Sequence, residues 1–405
     1  VKHKHICSSV FLTFCCIGLA AGEVEPEPAY RAVWNTTLSY DDWMDAWPTL
    51  TKMPDGYFVA GISHRKTDEE NYECKVVLWK IDTQGKELWV KDINPAGMQA
   101  DRPFLPAQCL SLQDEPMLLI IETLGPRPRR AWLVRLDEVG SIVFSKELSS
   151  KQIFDIKGLV KTNDCLLLYG SVHKGSGNSD ACVTKSDIDG NEIWRREYDK
   201  GKMEGATGLA PQKDGGFILA ADSGNYNKFG GGPSEVWIIK CDRDGNSLCE
   251  TTFEGRHPSV TVSGNITAVL FNKEDFPQQD VSVVGLDEEL KTLWRIDSLF
   301  GKAGGLGMLR TIVNKKGNFV LAGNKFRAAS IWEITKQGRI LREMPIEGAE
   351  QCVKLELLQT QTGYLVAGHA TTMSKMPLTA DGKVAKGTHR DSMDILVTEV
   401  ADLAK

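Results

Sequence analysis

The chain has 405 residues, of which 41% are hydrophobic and 25% charged, with a formal charge of −6. That composition excludes a disordered chain. The negative balance offers nothing to a phosphate backbone, so nucleic acid is not an expected partner.

The first residues read as an export signal. Lys2 and Lys4 supply a basic start, Val10 to Ala21 is an apolar run too short to span a bilayer comfortably, and Gly18-Leu19-Ala20-Ala21-Gly22 offers small residues for cleavage. Val1 fits a bacterial chain initiated at GTG. A lipobox is not met, because Phe14 immediately precedes Cys15 and Cys15 immediately precedes Cys16. The expected division is a signal peptide over 1–22, a linker over 23–29 and one folded unit over 30–405. The expected location is secreted or periplasmic, with no transmembrane segment in the mature chain. An uncleaved anchor is the alternative.

From there a unit of about fifty residues recurs. Its clearest copies run from Pro54 to Ile93 and from Asp214 to Phe253. Each reads as four strands, a to d. A tight turn, often Asp-Gly or Lys-Gly, leads into a strand b of the form F-I/V-L-A-G. Strand c reads V-W-x-x-K-x-D, and an Asp-x-x-Gly turn leads to strand d. Gly supplies the positive φ of the short hairpin and Asp caps it.

In chain order the b strands are Tyr57–Gly61, Met117–Glu122, Leu166–Gly170, Phe217–Ala221, Ile266–Phe271, Phe319–Gly323 and Tyr364–Gly368. The c strands are Val76–Asp82, Ala131–Asp137, Ala181–Asp187, Val236–Asp242, Val281–Asp287, Ser330–Thr335 and Asp394–Val400. Strand d follows only six of them. The seventh partner lies at the other end, where Tyr30–Thr37 reads as an orphan strand d with Trp34 in the place of Trp89, Trp194 and Trp294. The predicted fold is therefore all-β: a seven-bladed β-propeller of four-stranded blades, closed by pairing of Ala32–Thr36 with Asp394–Glu399. It is expected to be a monomer.

The repeated tryptophans of strands c and d are expected to pack between blades. Seven cysteines follow the leader, and no CxxC occurs. Cys241 with Cys249, and Cys165 with Cys182, could bridge across hairpins. The plainer reading is small buried strand residues.

The string Asp82-Thr83-Gln84-Gly85-Lys86-Glu87-Leu88-Trp89 resembles the tryptophan-docking repeat of PQQ-like propellers, which include quinoprotein dehydrogenases and an outer-membrane assembly lipoprotein. The fuller pattern is similar to repeats of secreted bacterial propellers of PQQ-like and WD40-like type. The resemblance covers nearly all of the chain after the leader and implies a fold rather than an activity. Quinoproteins stack their cofactor on a disulfide of adjacent cysteines, and the adjacent pair here, Cys15-Cys16, lies in the leader. No cofactor is assigned.

Asp187-Ile188-Asp189-Gly190-Asn191 and Asp242-Arg243-Asp244-Gly245-Asn246 carry too few oxygen ligands for a calcium loop and are read as turns. A sialidase-type Asp box fails at Ile188. No metal site, Ser-His-Asp triad, H-E-x-x-H or phosphate loop is assigned, and no catalytic residue is named.

The irregular part of the repeat is the b–c connection: Ser63–Glu73, Ser171–Asp180, Asp222–Glu235 and Ala370–Met393. Long loops on a rigid scaffold favour binding. The candidate binding residues on that face are His64, Arg65, Arg102, Arg129 and His173, together with Tyr226, Phe229, His369, His389 and Arg390. Two functions are expected to compete. One is a non-enzymatic propeller binding a protein or glycan through the b–c face. The other is a hydrolase or lyase acting on a carbohydrate in the central funnel, which needs convergent carboxylates.

Overall fold

The structure, a computed structural model, describes residues 30–41, 44–66, 72–96, 98, 104–112, 114–122, 129–148, 154–175, 178–224, 234–273, 280–299, 310–325, 328–350, 352–371 and 393–402. The calls on the leader and linker, and on Arg102, Tyr226, Phe229, His389 and Arg390, lie outside these residues.

The described residues form strands and turns, in runs of four antiparallel strands. β1 (Tyr30–Leu38) precedes the first run, which is β2 (Met44–Met53), β3 (Gly56–Lys66), β4 (Tyr72–Asp82) and β5 (Glu87–Ile93). The next is β6 (Phe104–Leu112), β7 (Glu115–Glu122), β8 (Ala131–Leu136) and β9 (Ile142–Glu147). β10 (Phe154–Lys161), β11 (Leu166–Gly175), β12 (Asn178–Ser186) and β13 (Glu192–Tyr198) share an eight-stranded sheet with β14 (Met203–Pro211), β15 (Phe217–Gly224), β16 (Ser234–Cys241) and β17 (Ser247–Glu254). A single parallel pair, Ser179 with Met203, joins its halves. Two further sheets hold β18 (Arg256–Ser263), β19 (Ile266–Asn272), β20 (Val281–Leu286) and β21 (Thr292–Ile296), then β22 (Arg310–Val313), β23 (Phe319–Lys325), β24 (Ala328–Ile334) and β25 (Ile340–Glu350). The last sheet is β26 (Cys352–Gln359), β27 (Gly363–Thr371), β28 (Met393–Asp402) and β1. The predicted strand pairing is present: Trp34 lies opposite Glu399 and Thr36 opposite Val397.

The first strand of each run packs on the first strand of the next. The contacts pass from β2 through β6, β10, β14, β18, β22 and β26, and β26 touches β2. The core lies between sheets. Ala60, Val76 and Leu78 of the first meet Leu118, Ile120 and Trp132 of the second. Tyr57, Val59 and Trp79 meet Leu365, Ala367 and Val397 of the last. Trp79, Trp132 and Trp332 are fully buried. Each such ring removes roughly 200 Å² from water, about 5 kcal/mol before entropy is counted.

The outer-strand tryptophans do a second job. Gly85 sits at φ 82° in its c–d turn, and a Cβ there would overlap the Trp34 ring. Gly140 stands in the same relation to Trp89, and Gly338 to Trp294, whose Cδ2 would lie 2.5 Å from an added Cβ. The turn glycine is thus required twice, for its left-handed backbone and for its missing side chain. One interface inverts the sizes. Where the docking residue is Cys249, the turn residue is Leu290, held at φ 59° and buried in the same cluster.

The turns owe their shape to one oxygen each. Asp82 Oδ1 accepts the amides of Gln84 and Lys86, both at 2.9 Å. Asp187 and Asp242 repeat this and are further held by Asn191 and Asn246, at 2.7 and 2.8 Å. These hydrogen bonds hold both carboxyls below the usual carboxylate range. Both segments are therefore capped turns, as read from sequence.

No disulfide joins Cys241 to Cys249 or Cys165 to Cys182. Cys249 pairs with Lys240, which puts Cys241 on the opposite face of its hairpin, and Cys182 pairs with Gly170, well along its strand from Cys165. One expectation needs correction. Most of the first two long b–c connections is hairpin: Arg65 pairs with Glu73, and Gly175 with Asn178. His64, Arg65 and His173 are therefore strand residues, fixed in direction by the pleat.

Gly85→Ala should lower unfolding stability by about 2 kcal/mol or more, from steric overlap and a positive φ together, as read by urea denaturation. Leu290→Gly should cost about 1–3 kcal/mol through a cavity, and adding Cys249→Trp should recover part of it. A double-mutant cycle with purely additive losses would sink the size-exchange idea.

Candidate functional site

The first strands are irregular at one shared height. Six of them carry a β-bulge, holding Trp47-Pro48, Ala107, Lys157, Thr207, His257-Pro258 and Lys354-Leu355. Trp47, His257 and Lys354 lie at φ 56°, 52° and 50°. Left-handed backbone at non-glycine residues is costly and concentrates where a side chain must be re-aimed. Each bulge falls near the start of its strand, the end from which the b–c hairpins also project.

Around these bulges, charged side chains from separate sheets converge. Arg310 of β22 donates to Glu356 of β26 through Nε at 3.0 Å, with its terminal nitrogen at 2.9 Å. The Arg310 guanidinium also lies beside the hydroxyl of Tyr169 on β11. β10 and β22 are not neighbours in the circuit of first strands, so this contact spans the centre. It exists because Gly158 lies opposite Tyr169 and a Cβ there would overlap the hydroxyl. Burial pushes the Tyr169 hydroxyl above its ordinary range. Lys354 is only 5% exposed, and its ammonium lies 5.7 Å from the centre of the Trp47 ring. Burial pushes its amine down to about 8, against the pull of Glu356 and with some repulsion from Arg310.

A second group lies on β10. Buried Asp155 has Lys157 Nζ at 3.7 Å, His173 Nε2 at 3.8 Å and Arg129 Nε at 4.0 Å. The structure thus brings together two of the predicted residues, Arg129 and His173, on a carboxylate that sequence reasoning did not name. His64 and Arg65 stand elsewhere. Arg65 grips Glu73 with Nε at 3.1 Å and its terminal nitrogen at 2.8 Å. His64 is partly buried, which holds its imidazole below the ordinary value. His369 is placed by register opposite Ile395 on the last sheet. The three histidines occupy separate sheets.

Four basic side chains (Arg129, Lys157, Arg310 and Lys354) thus lie around two carboxylates, Asp155 and Glu356. Trp47 and Tyr169 add aromatic faces. Tyr169, Arg310, Lys354 and Glu356 went unnamed in the sequence reading. The one local signal was Gly158, a residue without a side chain in a first strand.

No protein-family model matches the sequence, and no curated protein matches it. Solved structures do. Drosophila Plexin A, in complex with Semaphorin 1b, is similar over 91% of this chain and 87% of its own, at 8% identity and a TM-score of 0.50. Trypanosoma rangeli sialidase, in complex with sialic acid, is similar over 92% of this chain, at 9% identity and a TM-score of 0.49, and the chain spans 58% of that protein's length. Chaetomium thermophilum Sqt1, bound to the N-terminus of a ribosomal protein, is similar over 90% of this chain and all of its own, at 11% identity and a TM-score of 0.49. Each is a β-propeller; the propeller-like architecture of this chain rests on its own repeated four-stranded sheets and on the likeness to Plexin A. At such identity the likeness concerns the fold alone.

Lys354 has a testable pH signature. Its amine lies near 8 in the folded chain against an ordinary 10.5, so between these values the unfolded state holds more proton. Stability from this group therefore rises with pH across that window, and its cost is fully present below it. Lys354→Met should be more stable than the parent at pH 7 by on the order of 1–3 kcal/mol, with the gap closing towards pH 10. Parallel urea titrations at several pH values read this directly, and a gap that stays constant with pH would refute it.

Proposed function

We propose that this chain is an exported, seven-bladed β-propeller, closed by β1, that binds a protein or glycan partner without transforming it. Binding is at the b–c end of the central circuit of strands. The observation that carries this reading is the surplus of basic side chains over carboxylates around Asp155 and Glu356 in a chain whose overall charge is −6. Such a local reversal attracts an anionic group, and guanidinium with aromatic faces suits the carboxylates and ring faces of an acidic sugar or an acidic peptide. The secreted or periplasmic location follows from the leader pattern.

A second reading has one specific support. Lys354, with its lowered pKa, lies with Glu356 and Tyr169 in a single cluster, the kind of grouping that general acid–base chemistry uses. On that reading the protein is a hydrolase or lyase of an acidic carbohydrate.

Calorimetry with a uronic-acid oligosaccharide and a neutral one of equal length tests the first reading. The acidic ligand should bind more tightly, and Arg310→Gln should weaken it by about tenfold or more. Equal affinity for both ligands would reject the charge argument. New reducing or unsaturated ends after prolonged incubation would move the assignment to the enzyme.

A further inference from the structure

Away from the central cluster, three carboxyl groups meet where the two halves of the eight-stranded sheet join. Asp180 lies on β12, Asp199 just after β13 and Glu204 on β14. One oxygen of each lies within 4.8 Å of the other two. The junction itself is tightly made. Ser179 pairs with Met203, and its hydroxyl donates to the Glu204 carbonyl at 2.9 Å.

The hydrogen bonding of these groups is lopsided. Glu204 Oε1 accepts the Lys202 amide and the Ser223 hydroxyl, both at 3.0 Å. Asp199 Oδ1 accepts the Gly201 amide at 2.7 Å. Asp180 Oδ2 faces Lys174 Nζ at 3.3 Å, and that lysine also pairs with Glu197. One oxygen of each carboxylate is therefore used to hold it in place. The remaining Glu204 Oε2 and Asp180 Oδ1 are buried and have no hydrogen-bond partner among the described residues. Glu204 is 1% exposed and Asp180 5%.

A buried carboxylate oxygen without a donor is costly, and two beside a third carboxylate are more so. Lys174 answers only part of this charge. A cation supplies what the protein does not. The donor set is all oxygen, which selects a hard ion. Oxygens no more than 4.8 Å apart can be reached together by one calcium ion with bonds of about 2.4 Å, and exposed Asp199 leaves a side open for water ligands.

We propose that Asp180, Asp199 and Glu204 form a calcium site that staples the β10–β13 half of the sheet to the β14–β17 half. The D-x-D-G-N turns, which look more like calcium loops in sequence, are not this site; their carboxylates are filled by their own amides and asparagines.

The test uses the full chain, freed of metal by chelator and titrated with terbium as the calcium probe. Tyr198, next to Asp199 in the chain, is the ring used to sensitise its emission. One saturable site per chain is expected, with calcium displacing terbium and raising the melting temperature. Glu204→Gln and Asp199→Asn should each weaken binding by at least about tenfold, while Asp242→Asn should not. Absence of saturable emission, or unchanged affinity in Asp199→Asn, would overturn the site. Asp199 is exposed, so its variant decides the matter even if Glu204→Gln fails to fold.

Discussion

Each of the clearest interfaces rests on a ring from one outer strand pressed onto the c–d turn of the next sheet, and the rest of the architecture depends on that contact. The ring needs a gap, the gap needs glycine, and the turn needs glycine for its backbone as well. Two independent demands thus fall on one residue. This is why Gly85, Gly140 and Gly338 keep the repeat period so faithfully, and why the Leu290–Cys249 interface had to exchange sizes on both sides at once. A rigid stack of sheets follows, and the bulged first strands inherit its rigidity.

That inheritance matters for the central cluster. Arg310, Tyr169 and the Lys354–Glu356 pair come from strands on three different sheets, so no local segment can position them all. The sheets do so by fixing the first strands at one height. Bulges then turn selected side chains away from the pleat, and Gly158 opens the path for the Tyr169 hydroxyl. The strained backbone at Trp47, His257 and Lys354 marks where this re-aiming occurs.

Strands and turns were legible in the sequence because Asp-x-x-Gly punctuates the c–d hairpins at Asp82, Asp137, Asp187 and Asp242 with one hydrogen-bond pattern, and the turns at Asp287 and Thr335 keep that pattern with one end residue changed. β1 was legible by subtraction, since Trp34 stood where a docking ring was missing. The b–c hairpins were not, because Arg65 and Glu73 look like loop residues until their pairing is seen. The central cluster was hidden for another reason. A bulge adds a residue without changing composition, and Tyr169, Arg310 and Glu356 meet only through the circuit of sheets. The acidic junction was hidden likewise, since Asp180, Asp199 and Glu204 form no recognisable spacing. Arg129 and His173 were found for their chemistry, whereas their shared partner Asp155 was passed over as part of a semi-apolar strand.

The pairing of β1 with β28 sets a timetable. Trp34 and its acceptor Glu399 are 365 residues apart. At a synthesis rate of about 5–20 residues per second, the first strand waits roughly twenty seconds to over a minute for its partner. Throughout that interval both edges of β1 are unsatisfied, and so is the turn face at Gly85 onto which Trp34 will dock. The newborn chain therefore carries β1 longest without cover, and its yield depends on how well that strand is kept from pairing with the wrong neighbour.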